Sequence, residues 1–235
     1  MKRLALIVSA VATLISTSVW AEENKETSVK SDWFGELRVS HEFSDSISVS
    51  DSTTGNDKAD TIRGAELTNA TSFGVGIGKR LDNNLFVSFG VERFGSPKVK
   101  ATGFTTVGGT VYTTTTLPFE MTNYMFEVGL NNQISESFDF RLFGGVGLAS
   151  TKSKKWSTTL SGTVANNLGR STSKSNTSTR VGLGVGYKLS EGAKLVTVVQ
   201  YSNYGEAFWK NSDNNNGITA KIKSVEAGVR LVFDL

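Results

Sequence analysis

From Glu36 onward the chain alternates apolar and polar residues with a period of two, which is the pattern of strands and not of helices. Leu37, Val39, His41 and Phe43 alternate with Glu36, Arg38, Ser40 and Glu42. Three more segments follow: Thr71 to Gly78, Leu85 to Glu92, and Asn123 to Leu130. The second half repeats the pattern at Phe138 to Leu148, Arg180 to Leu189, Leu195 to Ser202 and Val225 to Leu235. In each segment one phase is apolar, while the other carries Gly, Ser, Glu and Arg.

The connections sharpen this pattern. Links after the second, fourth and sixth segments are short: Leu81 to Asn84, Asn131 to Ser137, and Ser190 to Ala193. The others are long and polar, running from Ser44, Gly95, Thr151 and Gly205. Strict short–long alternation belongs to a membrane barrel with periplasmic turns and extracellular loops. A soluble barrel has no reason to keep its long loops on one rim. The expected fold is therefore all-β: a transmembrane antiparallel up-and-down barrel of eight strands with four long extracellular loops. Val99 to Thr106 and Thr110 to Thr116 flank Gly108–Gly109, a favoured hairpin dipeptide, so some strands should project beyond the bilayer. Ile47 and Val49 are expected to continue the outward phase of the first strand.

Ahead of the strands, Lys2 and Arg3 precede an apolar run from Leu4 to Ile15, with Val19 and Ala21 at the −3 and −1 positions of a small-residue cleavage site. That run is too short for a membrane-spanning helix, which needs about 20 apolar residues. The expected organisation is a signal peptide at 1–21, a periplasmic N-terminal segment at 22–32 and a barrel at 33–235. Both prolines, Pro97 and Pro118, are expected outside the strands, because proline cannot donate to a sheet ladder. With no cysteine there is neither a disulfide framework nor thiolate chemistry. The net charge of +3 includes Lys2 and Arg3 and is not clustered, so nucleic acid is not an expected partner.

The stretch Val181 to Glu206, VGLGVGYKLSEGAKLVTVVQYSNYGE, resembles the penultimate hairpin of OmpA-like and porin-opacity outer-membrane barrels. The tail VEAGVRLVFDL resembles the C-terminal strand by which the outer-membrane assembly machinery recognises its clients, although it ends in Leu235 with Phe233 two places earlier. The resemblance implies an outer-membrane location among lipids and lipopolysaccharide. It also implies a role in adhesion, complement-factor binding, membrane integrity or narrow conduction. A monomer is expected.

Two groups of residues are candidates for function. Eight strands enclose a lumen that side chains can just fill, and its phase carries Glu36, Arg38, Glu92, Glu127, Arg141, Arg180, Glu226 and Arg230. These form either a gate or a paired polar core; the second account is favoured because buried charges need partners. Glu127 and Arg141 are expected to face each other across their hairpin. The inward glycines of the second and sixth segments should leave room for the arginines. The other group is the third long loop, Thr151 to Thr179, which contains Lys152, Lys154, Lys155, Arg170 and Lys174, no acid, and Trp156 beside the lysines. Such a loop attracts polyanions, either lipopolysaccharide phosphates or sulfated host polymers. The first loop is acidic, with Asp45, Asp51, Asp57, Asp60 and Glu66 against Lys58 and Arg63. Tyr201, Tyr204, Phe208 and Trp209 fit an interfacial aromatic girdle.

Enzymatic chemistry finds little support. The only histidine, His41, shares the outward phase with Leu37, Val39 and Phe43, and no serine stands two residues on. One histidine without cysteine leaves transition metals no cluster of donors, and no cofactor is expected. The leading expectation is a non-enzymatic surface barrel whose loops meet a host, matrix or envelope ligand. The alternatives are a narrow porin-like channel and an outer-membrane lipid-modifying enzyme.

Overall fold

The computed structural model describes residues 32–51, 63–68, 70–81, 84–106, 110–160, 163–165, 169–211 and 217–235. The expected signal segment, nearly all of 22–32, Asp57, Lys58, Asp60 and Gly108–Gly109 lie outside the described residues. Eight strands close a ring: β1 (Trp33–Asp51), β2 (Thr71–Arg80), β3 (Leu85–Phe94), β4 (Thr110–Gln133), β5 (Phe138–Ser153), β6 (Ser173–Ser190), β7 (Ala193–Asn211) and β8 (Gly217–Asp234). Each pairs antiparallel with the next, and β8 returns to pair with β1 from Phe34↔Asp234 to Asp51↔Ile218. Closure leaves no edge in this part of the sheet, which is what a strand needs where water cannot satisfy its backbone.

The outward side chains define an apolar belt. On β5 they are Phe138, Leu142, Val146 and Leu148, all exposed; on β6 they are Tyr187, Val185, Leu183 and Val181. From Phe138 to Leu148 is ten residue steps, which at ~3.3 Å per residue and a tilt of ~40° gives a belt ~25 Å tall. Above it the outward positions turn polar: Ser150 and Lys152 on β5, Thr122 and Glu120 on β4, Lys221 on β8.

The strands continue well past this border, so the chain carries an upper collar of sheet. β1 continues past Ser44, as expected from Ile47 and Val49, and β7 past Gly205; each runs on through an irregularity, between Glu42 and Ser44 and between Asn203 and Gly205, and here the phase departs from the sequence expectation. Both lie on strands flanking β8. One residue is added without a partner, so the phase flips beyond it. Ile47 and Val49, expected outward, instead pack against the interior of the collar. Gly205 has φ 78°, a left-handed conformation that β-carbon sterics disfavour for other residues.

Additional short strands complete the collar. Lys98–Thr106 forms the expected hairpin with the start of β4, from Lys98↔Pro118 to Thr106↔Thr110. Arg63–Thr68 pairs with Lys98–Thr106, and Ser157–Leu160 pairs with β4 on its other side. Pro118 therefore lies inside a strand, contrary to expectation. It occupies the gap where β4 passes from Ser157 to Ser153 as partner, a position that needs no N–H. Its carbonyl accepts from Lys154 N (2.9 Å) and Trp209 Nε1 (3.0 Å).

The belt makes a quantitative prediction. Leu142→Arg, near mid-height, should cost about 2–4 kcal/mol, and Ser150→Arg, just above the border, about 0–1 kcal/mol. Urea titration of the barrel folded into phosphatidylcholine vesicles measures both. Equal costs would place the belt wrongly.

Candidate functional site

The alternation of every ring strand sends one side-chain row inward, and these rows stack in three layers along the lumen. At the level of the short turns, Phe34, Phe86, Phe143, Val196, Val198 and Val232 form an apolar layer. In the collar a larger one contains Phe94, Leu117, Phe119, Met121, Trp156, Tyr204, Trp209 and Ile222. Between them lie Glu36, Arg38, Glu92, Glu127, Arg141, Arg180, Glu226 and Arg230, none more than 4% exposed.

Glu127 is the hub of the charged layer. It accepts from both terminal nitrogens of Arg230 (2.7 and 3.2 Å) and from Arg180 Nη1 (3.1 Å), and Arg38 Nη2 lies 3.1 Å away. Glu92 holds Arg180 in a two-pronged pair at 2.7 and 2.5 Å. Glu36 joins Arg38 (2.6 Å) and Arg141 (2.7 Å). Arg141 thus pairs with Glu36 and not with Glu127. The ladder sets Glu127 opposite Gly145 and Arg141 opposite Asn131, four positions apart on their hairpin. The expected facing of Glu127 and Arg141 across the hairpin therefore does not hold; Arg141 reaches across the lumen to Glu36 instead.

Glu226 is a different case. Among the described residues no cation comes within ion-pair distance. Its carboxylate accepts instead from Ser224 Oγ (2.7 Å), Ser40 Oγ (2.9 Å), Gln200 Nε2 (2.9 Å) and the Tyr204 hydroxyl. Four neutral donors replace a salt bridge. Tyr204 therefore belongs to the lumen and Trp209 to the collar core, whereas both were expected in an interfacial girdle. Tyr204 already shares the inward phase of Gln200 and Ser202, and the irregularity before Gly205 then turns Ala207 and Trp209 inward. Tyr201, ahead of it, does face outward.

Where the arginines are longest, glycine makes the space. A β-carbon on Gly90 would lie 2.8 Å from Arg38 Nη1, and one on Gly76 would lie 3.2 Å from Arg38 Nη2. The β6 glycines serve other neighbours: Gly182 faces the Phe143 ring and Gly186 the Asp139 carboxylate. The guanidinium carbons of Arg141 and Arg230 stand 4.0 Å over Phe86 and 4.2 Å over Phe143, so the charged and lower apolar layers meet through cation–π contacts. Towards the short turns two further pairs are partly exposed, Arg80–Asp234 (2.7 Å) and Lys194–Asp139 (2.5 Å).

The basic stretch from Thr151 to Thr179 is not one patch. Its second part is the start of β6, and Trp156 is turned into the collar core. Lys154 pairs with Glu120 (2.9 Å) and Lys174 with Glu206 (2.6 Å), acids that come from other strands. Lys152, Lys155 and Arg170 are exposed with no carboxylate in ion-pair range among the described residues. His41 is exposed on the outer wall, with Nδ1 2.8 Å from Thr71 Oγ1.

A closed antiparallel ring, apolar outside and charged within, is a membrane-spanning β-barrel of outer-membrane type. The chain belongs to the outer membrane protein β-barrel domain family, whose model matches residues 7–233. Among solved structures it is similar to OprG from Pseudomonas aeruginosa, at 13% identity over 88% of this chain and 97% of that one, with a TM-score of 0.55. It is also similar to Neisserial surface protein A (14% identity, 87% and 99% covered, TM-score 0.41) and to Ail of Yersinia pestis (13%, 87% and 100%, 0.37). No curated protein matches the chain. The protein resides in the outer membrane, among its lipids and lipopolysaccharide.

The hub can be tested by removal. Glu127→Ala leaves Arg38, Arg180 and Arg230 short of a shared partner and should cost about 3–5 kcal/mol. Glu226→Gln keeps neutral hydrogen bonding and should cost less, about 1–3 kcal/mol. Unfolding midpoints in lipid vesicles would check the order.

Proposed function

We propose that this protein is a non-enzymatic surface barrel that acts through the outside of its collar and its loops, not through its lumen. The observation carrying this reading is the packed interior formed by the described residues. A charged layer whose carboxylates all have hydrogen-bond partners is closed by an apolar layer at each end. Filled lumens of this size leave no continuous aqueous path, and an ion entering would have to break several buried pairs at once. The narrow-channel alternative therefore has no observation in its favour.

An enzyme is equally unsupported. His41 is on the outer wall, where its Nδ1 meets the Thr71 hydroxyl at 2.8 Å, while the buried carboxylates face the lumen on the other side of that wall, so no buried acid orients the pair. What the molecule offers to its surroundings is the collar, held by its own apolar core. Its exterior carries Lys155 and Arg170 free of acid partners among the described residues. These support a polyanionic surface polymer as the ligand class.

Two measurements test the reading. Purified barrel in planar bilayers should give no steady conductance steps; reproducible ohmic openings would restore the channel. The variant Lys155→Ala/Arg170→Ala should elute from heparin at distinctly lower salt than the parent, while still silent in bilayers. Unchanged elution removes polyanions from the proposal and leaves the sealed lumen untouched.

A further inference from the structure

The outer wall carries a feature that neither the lumen nor the loops explain. In-register pairing sets Val75, Val91, Tyr124 and Leu148 side by side across β2 to β5 as the top row of the apolar belt. The next outward row is Phe73, Arg93, Thr122 and Ser150, and above it Glu120 pairs with Lys152. Arg93 and Lys152 thus stand one and two rows above the hydrocarbon border, roughly 5 and 10 Å up for tilted strands. Lipid headgroup phosphates occupy that height.

At the same place the wall is dented. β3 stops at Phe94 and the chain turns through Gly95, Ser96 and Pro97, with Ser96 at φ 50°, before rising again as Lys98–Thr106. β4 runs straight on beside this turn. The mismatch leaves a cavity of about 250 Å³ lined by Phe73, Arg93, Phe94, Gly95, Ser96 and Glu120. Its floor is apolar, and Phe73 remains exposed at its lower lip, continuous with the belt.

Charge completes the description. Lys154 Nζ binds Glu120 at 2.9 Å, so that acid is already used. The hydrogen bond from Lys154, then the fields of Lys154, Arg93 and Lys152, hold the Glu120 carboxyl below its ordinary range. Arg93 and Lys152 have no carboxylate in ion-pair range among the described residues. Of the two cations left over, Arg93 lines the groove and Lys152 stands across β4 from it, opposite Glu120.

We propose that this groove binds a phosphorylated glycolipid of the outer leaflet. Arg93 and Lys152 hold the phosphate, and an acyl chain lies against Phe73 and down the belt over Val91 and Tyr124. Arginine presents two parallel donors to phosphate, and lysine adds a mobile point charge. The site does not depend on the proposed role of the collar, because it uses neither Lys155 nor Arg170.

The test is native mass spectrometry of the full barrel in neutral detergent, titrated with bisphosphorylated lipid A, with dephosphorylated lipid A and with inorganic phosphate. The parent should bind the bisphosphorylated lipid, and Arg93→Ala/Lys152→Ala should weaken it at least about tenfold, the size expected for losing charged hydrogen bonds. Glu120→Gln frees Lys154 and should bind severalfold tighter, which keeps the proposal testable if the double alanine variant folds poorly. Equal binding of the dephosphorylated lipid would reduce the site to an apolar groove. Competition by inorganic phosphate at equal concentration would make it a free-anion site. Unchanged affinity in the double alanine variant, or no gain in Glu120→Gln, would overturn it.

Discussion

The buried pairing of arginine with glutamate governs this structure. A ring of eight strands is too narrow to hold bulk water around four guanidinium groups, so every charge must find a counter-charge or a set of neutral donors inside the wall. Glu127 meets the requirement for three arginines at once, and Glu92 and Glu36 complete the layer. Such an arrangement tolerates no slip of register in the strands that carry it, since shifting one of them by one residue would turn its charges into lipid. The layer therefore fixes the pairing of the ring as much as the ring fixes the layer.

From that layer upward the interior changes character, and the two irregularities beside β8 mark the change. Below them the inward residues are Ser40, Gln200 and Ser202; above them Ile47, Val49, Ala207 and Trp209 take over. The outside changes in the opposite sense, from apolar belt to Thr, Ser and Lys. A strand that passes from lipid to water needs that inversion, because outside the membrane the hydrophobic effect drives apolar side chains inward again. The collar is thus folded like a water-soluble domain set on a membrane barrel. Trp209, fully buried and bonded to the Pro118 carbonyl, ties β7 to β4 within it.

The same inversion explains which residues are available for contact. Trp156 looks like a surface anchor beside three lysines, yet it fills the collar. Lys154 and Lys174 are offset by acids from neighbouring strands, whereas Arg93, which lies in no basic run at all, flanks Glu120 from one side of β4 as Lys152 does from the other. Spatial neighbours across the sheet, not sequence neighbours, set the charge of each patch.

The sequence by itself determined the period-two strands, the short–long alternation of links and the inward row of Glu and Arg, because side-chain direction in a strand follows from local geometry alone. It also carried the hairpin of Lys98–Thr106 in its flanking Thr and Val runs. It did not reveal where the phase flips, so Ile47, Val49 and Trp209 were assigned to the wrong face, whereas Tyr204, expected in a girdle, keeps the inward phase of Gln200 and Ser202. An extra residue in one strand has meaning only against the partner it fails to match. Nor did it reveal that Arg141 reaches Glu36, that neutral donors hold Glu226, or that the turn at Gly95 opens a groove beside β4. Those depend on distances across the closed ring, and only the tertiary structure brings such residues together.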